Sequence, residues 1–278
     1  MTSLSLGYSP CPNDTFIFYA LVHGRIDTDL RFREMLEDVE TLNRKAGCAE
    51  LDITKISFHA FGHLRETYCL LRSGGALGKG CGPLVVSKKY ERMENLCGRK
   101  IAIPGKLTTA FLLLQLFDPS LKERVLIMPF HRIIDAVRNN EADAGLIIHE
   151  SRFTYENAGL RKLLDLGEWW ERETGLPIPL GGIIAKRGLG KDLIKKIETD
   201  IRKSLEYAFA NSAEPTAYIK KHSQELADSV IEQHIGLYVN DYSLDLGDAG
   251  IRAVEGLFRM SEEKGILKRS SLPLFAFD

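Results

Sequence analysis

The chain has 278 residues, 44% of them hydrophobic and 27% charged, with a formal net charge of -1. This composition is that of a globular protein whose balanced charge excludes a basic face for nucleic acid or an anionic membrane surface, and no stretch approaches the ~18 apolar residues of a membrane span. The length exceeds what one core usually fills and predicts two lobes.

Five scattered cysteines with no C-x-x-C spacing predict free thiols rather than a disulfide frame or a zinc knuckle. The first residues carry neither a basic nor an apolar leader region, which predicts a cytoplasmic protein, monomer or homodimer.

In chain order, the apolar run at 4–9 reads as a strand and leads into "SPCPNDTF" (9–16). Pro10 and Pro12 stiffen this turn, and Asn13 or Asp14 stands where a helix over 15–24 needs a cap. In an open α/β sheet such a turn lies over the crevice at the carboxyl ends of the strands, so Asn13 is also a candidate ligand contact. A strand at 31–36 and a helix at 38–46 precede the strand 51–57, which ends at Ser57 and opens a helix predicted over 58–72.

The Gly-rich "GGALGKGCGP" (74–83) is one residue short of a phosphate-binding G-x-x-x-x-G-K and has Gly80 where a hydroxyl should hold magnesium. It reads instead as a flexible loop entering a strand at 83–88. Further strands are predicted at 100–104, 124–130, 144–150, 162–167 and 181–186, with helices at 108–117 and 131–140 between them. The alternation argues α/β, and the uniform apolarity of several runs argues strands covered on both faces. From about 191 to 264 the pattern is helical throughout. Crossings near 88 and 185 divide the chain into lobe 1 (1–88 plus 185–278) and lobe 2 (89–184), with hinges near Val85 and Ile183 and a ligand cleft between.

Four features carry chemistry. Three are strand-end turns: "SPCPNDTF", the Ser57 turn, and the turn where Thr108 and Thr109 open a helix whose free N–H groups suit a carboxylate. Each turn is equally well explained as a helix cap. The fourth is "AGLIIHE", which runs an apolar strand into His149, an imidazole able to take a proton near neutrality or simply to cap the next helix. His59 and His63 share a helix face at i, i+4 but lack a third ligand, so no metal site is predicted. No cofactor motif is present.

The stretches "SPCPNDTFIFYALVHGRI", "EDVETLN", "TKISFHAFGHL", "RSGGALGKGCGPLVV", "TTAFLLL", "AGLIIHESRFTY" and "DLGEWWERETGLPIPLGGIIAKR" together resemble the 1,4-dihydroxy-6-naphthoate synthase family of the futalosine route to menaquinone. The resemblance runs from residue 6 to about 190 and, more loosely, through 238–250.

It implies a type II periplasmic-binding-protein-like fold, with two α/β lobes joined by two crossing strands and a helical C-terminal block. It implies a lyase acting on a small-molecule substrate, cyclic dehypoxanthinyl futalosine, with no metal or cofactor. It makes His149 the proton acceptor, makes Lys55, Ile56, Ser57, Thr108 and Thr109 substrate contacts, and places Asn43 on the cleft. Tyr155, Trp169 and Trp170 either wall the cleft or fill the core. The rival readings are a non-catalytic small-carboxylate binding protein, chorismate dehydratase on the same fold, and a regulator's effector domain.

Overall fold

A computed structural model of the chain describes residues 3–223 and 227–277. Its strands, in chain order, are β1 (Ser3–Tyr8), β2 (Arg31–Leu36), β3 (Ile53–Ser57), β4 (Tyr68–Leu70), β5 (Ala76–Gly78), β6 (Leu84–Ser87), β7 (Ile101–Ile103), β8 (Val125–Ile127), β9 (Ala144–Ile147), β10 (Arg161–Asp165) and β11 (Ile178–Lys186). They form two sheets. The first has the order β2-β1-β3-β11-β4, with β5 also paired to β11; the second has the order β8-β7-β9-β6-β10.

The two sheets follow one plan. In each, three parallel strands lie at one side and the next strand runs antiparallel to its neighbours; β6 opens the segment that builds the second sheet, and β11 returns the chain to the first. Every residue of β3, β6, β7 and β9 is buried, the physical counterpart of their unbroken apolar runs. The helix Pro12–Val22 covers the first sheet and is stitched to the long tail helix Lys191–Ala210. There the Ser204 hydroxyl donates to the Ile17 carbonyl at 2.7 Å and accepts from the Leu21 amide at 3.1 Å.

Several expectations change. β6 lies in the second sheet, with Val85 opposite Leu146, and β11 lies in the first, with Ile183 opposite Lys55. The chain therefore crosses between sheets at 79–83 and returns at 166–177, not near 88 and 185. Val85 and Ile183 are fully buried, each paired on both sides within its sheet, and neither lies on a connecting segment. The helix predicted over 58–72 stops at Gly62, and Tyr68–Leu70 pairs with β11 instead. The Gly-rich stretch contains buried β5 and is not a free loop.

The first helix begins at Pro12, with Cys11 at its cap position; neither Asn13 nor Asp14 caps it. Proline suits that first position because its missing N–H has no helical partner to lose.

The crossings are held tightly. Arg152 donates to the Gly82 carbonyl and pairs with Asp165 at 2.7 Å, and Asp165 in turn caps the helix Leu166–Thr174 through the amides of Gly167 and Glu168. Gly82 and Gly167 touch backbone to backbone, so close that a Cβ on Gly82 would lie 2.2 Å from the Gly167 nitrogen. One apolar core runs from Ile56 and Phe58 of the first half through Leu112 and Leu113 of the helix Thr109–Phe117 to Val85 and Leu146 of the second.

Candidate active site

The carboxyl ends of the parallel strands β1, β3, β7 and β9 open onto one cavity between the sheets. Asn13, Lys55, Ile56, Ser57, Thr108, Thr109 and His149 all line it. Asn43 does not. It is fully buried behind Ser57, where its Oδ1 accepts from the Ser57 amide at 3.0 Å and its Nδ2 donates to the Ser57 hydroxyl at 3.2 Å. Asn43 thus orients Ser57, whose own hydroxyl hydrogen remains able to point into the cavity.

On the first-sheet side the wall is a buried polar network. Lys55 Nζ meets Asp14 Oδ1 at 2.6 Å, both side chains 6% exposed. Asp14 also accepts from the Ser9 amide and hydroxyl at 3.1 and 2.7 Å and from Asn13 Nδ2 at 2.8 Å. Burial of an ion pair is costly, and here the turn at residues 9–14 meets the needs of its Asp14 carboxylate. That is why this turn is rigid and why it makes a poor site for a simple side-chain cap.

His149 follows β9 with φ +56°, a left-handed backbone that a non-glycine residue rarely adopts and that clusters at functional sites. Its ring leans on Phe130, with centroids 4.9 Å apart, and opens partly to the cavity. Enclosure by protein atoms pushes the imidazole down to about 4; Asp14 pulls it back up and Lys55 pushes it further down. The ring is therefore neutral at pH 7, in the form able to accept a proton.

Cys11, His149 and Glu150 bring sulfur, nitrogen and oxygen within 4.8 Å of one another, the one such trio among the described residues. A thiol binds metal as thiolate, however, and burial with Glu150 nearby raises Cys11 well above its ordinary value.

The paired threonines act differently from expectation. Thr108 caps its helix by accepting from the Phe111 amide while donating to the Gly105 carbonyl at 2.8 Å, and Thr109 donates to the Leu180 carbonyl. Both hydroxyl hydrogens are committed to protein carbonyls. The donors this helix end leaves for an acid group are backbone N–H groups of its first turn.

Trp169, Trp170 and Tyr155 are core residues outside the cavity lining: Trp170 donates to the Pro177 carbonyl at 3.0 Å, and Trp169 packs edge-on against Phe117. The aromatic ring that does line the cavity is Tyr238, from the helical tail. Beside it lies His234, fully buried, which no motif singled out.

A family model described as menaquinone biosynthesis matches residues 4–263. The chain is 49% identical over 275 residues to a 1,4-dihydroxy-6-naphthoate synthase of Thermus thermophilus, covering 99% of this chain and 100% of that protein. It is 42% identical over 279 residues to one of Streptomyces coelicolor, covering 99% and 98%. Among solved structures, a protein from Archaeoglobus fulgidus superposes with a TM-score of 0.90 at 39% identity, covering 95% of this chain and 98% of that one. The alkanesulfonate-binding protein of Xanthomonas axonopodis superposes with a TM-score of 0.71 at 14% identity, covering 97% and 96%, a likeness of fold alone.

Proposed function

The chain belongs to the menaquinone biosynthesis family, and from that premise we propose that it forms 1,4-dihydroxy-6-naphthoate by acting as a carbon-carbon lyase on cyclic dehypoxanthinyl futalosine, with His149 as the general base. The observation that carries this reading is a neutral imidazole fixed at a strand end in the same cavity as a helix N-terminus.

The substrate's aromatic carboxylate binds at the amides that open the helix Thr109–Phe117, and Ser57, oriented by Asn43, donates to a second oxygen. His149 then takes the proton of a hydroxyl on the sugar-derived carbon, whose oxygen pair forms the carbonyl of the departing fragment as the carbon-carbon bond breaks. The pair of that bond moves to the ring carbonyl as an enolate, which takes the proton back from His149. The sugar-derived fragment leaves and the new ring becomes aromatic. Lys55, withdrawn from water and held by Asp14, supplies positive charge where an enolate oxygen develops, the kind of preorganised donor that lowers such barriers. Proton transfer of this kind requires no metal or redox cofactor.

The two lobes of the reading are the units built on the two sheets. We place the protein in the cytoplasm. Five free cysteines, three of them buried, suit a reducing compartment, and no helix of the described residues is long and apolar enough to cross a membrane.

The test is incubation of purified protein with cyclic dehypoxanthinyl futalosine, following the naphthoate chromophore. Wild-type protein should form it, and His149→Ala should lose roughly 10²- to 10⁴-fold in rate while still binding substrate. Binding without product by the wild type would favour a solute-binding role instead, and undiminished turnover by His149→Ala would remove the base assignment.

A further inference from the structure

We propose that His234, on the tail helix Asp228–Tyr238, is the positioning residue of the base: an imidazole that lies parallel to the His149 ring and links it, through Asn13, to the Asp14–Lys55 pair. The inference rests on His149 being the base and deepens that reading.

The hydrogen-bond chain fixes the chemistry of His234. Asn13 gives its Nδ2 hydrogens to Asp14 Oδ1 at 2.8 Å, so its Oδ1 is the atom turned towards His234 Nε2, 2.9 Å away. An amide oxygen only accepts, and therefore His234 carries its proton on Nε2 and a lone pair on Nδ1. That lone pair faces the Glu150 carboxyl at 3.9 Å, and the side chain is entirely shut off from solvent.

The other groups around the ring are His149, Lys55 and Tyr238, whose ring centroid is 4.7 Å away. Burial, repulsion from His149 whenever that ring is protonated, and the charge of Lys55 all hold His234 well below the ordinary histidine value. The two imidazoles are not both charged. When His149 takes the substrate's proton, His234 stays neutral.

His149 needs such a neighbour. Its left-handed backbone stands just past the end of β9, outside the register that would fix its ring. Phe130 leans on it at 48°, while His234 lies parallel to within 4° with centroids 6.0 Å apart, an offset arrangement. A reacting group is held only as well as its supporting residues are locked, and His234 is locked through Asn13 to a buried ion pair.

The pair also spans the cleft. His149 hangs from the second sheet, whereas the helix Asp228–Tyr238 packs on the helix Pro12–Val22 of the first. The base is completed by a residue from the opposite half of the molecule.

His234 does not line the cavity, so its loss should act on turnover rather than on affinity. His234→Phe keeps a flat ring but removes the donor to Asn13. We expect kcat to fall by about 10- to 100-fold with KM within about threefold, the cost of a misplaced reacting group. His234→Gln returns an N–H to Asn13 and should recover at least about threefold in kcat over the Phe variant. In the His149→Ala background, His234→Phe should cost nothing further.

Independently of activity, ¹⁵N-histidine NMR of the wild-type protein should show His234 as the Nε2–H tautomer and non-titrating from about pH 5 to 8. Wild-type kcat in both variants overturns the proposal, as does a matching rise in KM, and so does an Nδ1–H tautomer or a titrating His234. A fully active His149→Ala would instead remove the base assignment, which the NMR result does not depend on.

Discussion

An imidazole in water changes charge near pH 6.5, whereas His149 in this cavity does so near 4. The difference is visible in rate. If His149 is the base, kcat/KM stays flat from neutrality down through the usual histidine range and falls only as pH drops towards about 4, where the ring gains its proton. Asp14 raises and Lys55 lowers that midpoint from the first-sheet wall, Glu150 and His234 flank the ring, and Asp38 adds a weaker upward pull. A pH-rate profile with its acid limb near 6.5 would mean that a different group, or a solvent-exposed His149, does the work.

Seven of the expected residues line the cavity; Asn13, Ser57, Thr108, Thr109 and His149 stand at strand-to-helix turns that a local pattern marks, whereas Lys55 and Ile56 lie within β3 and were indicated only by the family resemblance. Asp14 was visible only as a cap, since its bond to Lys55 joins residues 41 positions apart. His234 had no local signature at all; its partner Asn13 is 221 positions away.

At the scale of elements, the strands were readable wherever an apolar run was long enough to have a pattern. β4 and β5 have three residues each, and what makes them strands is pairing with β11, which lies more than a hundred residues later. The helix Leu166–Thr174 did leave a signal, in Asp165 at its cap and Gly175 in a left-handed turn at its end, but its start overlaps the strand expected over 162–167.

The crossings depend on glycine. At Gly82 an added Cβ would meet the Gly167 nitrogen and Cα at 2.2 and 2.4 Å, and backbone cannot swing aside. Gly82→Ala should therefore lower stability by roughly 1–3 kcal/mol, read as a drop in the urea midpoint. Gly236, inside a helix with no atom within 4 Å of its would-be Cβ, is the opposite case: Gly236→Ala should gain roughly 0.5–1 kcal/mol.

At the scale of the whole molecule, two sheets with one plan carry no sequence repeat, because the plan is held by pairing order and not by residue identity. The halves are interleaved in sequence: β1 to β5 and β11 build the first sheet around the contiguous segment β6 to β10 that builds the second. The apolar core is likewise continuous between them. The halves should therefore unfold together, and neither should stand alone. A fragment of residues 1–83 contains β1 to β5 but leaves β3, β4 and β5 without the strand that joins them. We expect it to be recovered insoluble, or soluble without a cooperative urea transition, while the full chain shows one transition.

That late strand, β11, sets a clock on the ribosome. β11 is complete 108 residues after β5 ends, so at ordinary synthesis speeds the nascent first sheet waits roughly 5 to 20 s with its inner edges bare. Open edges recruit strands from whatever passes. During that interval the growing polypeptide is most exposed to mispairing, and it is then that a holding chaperone has most to protect.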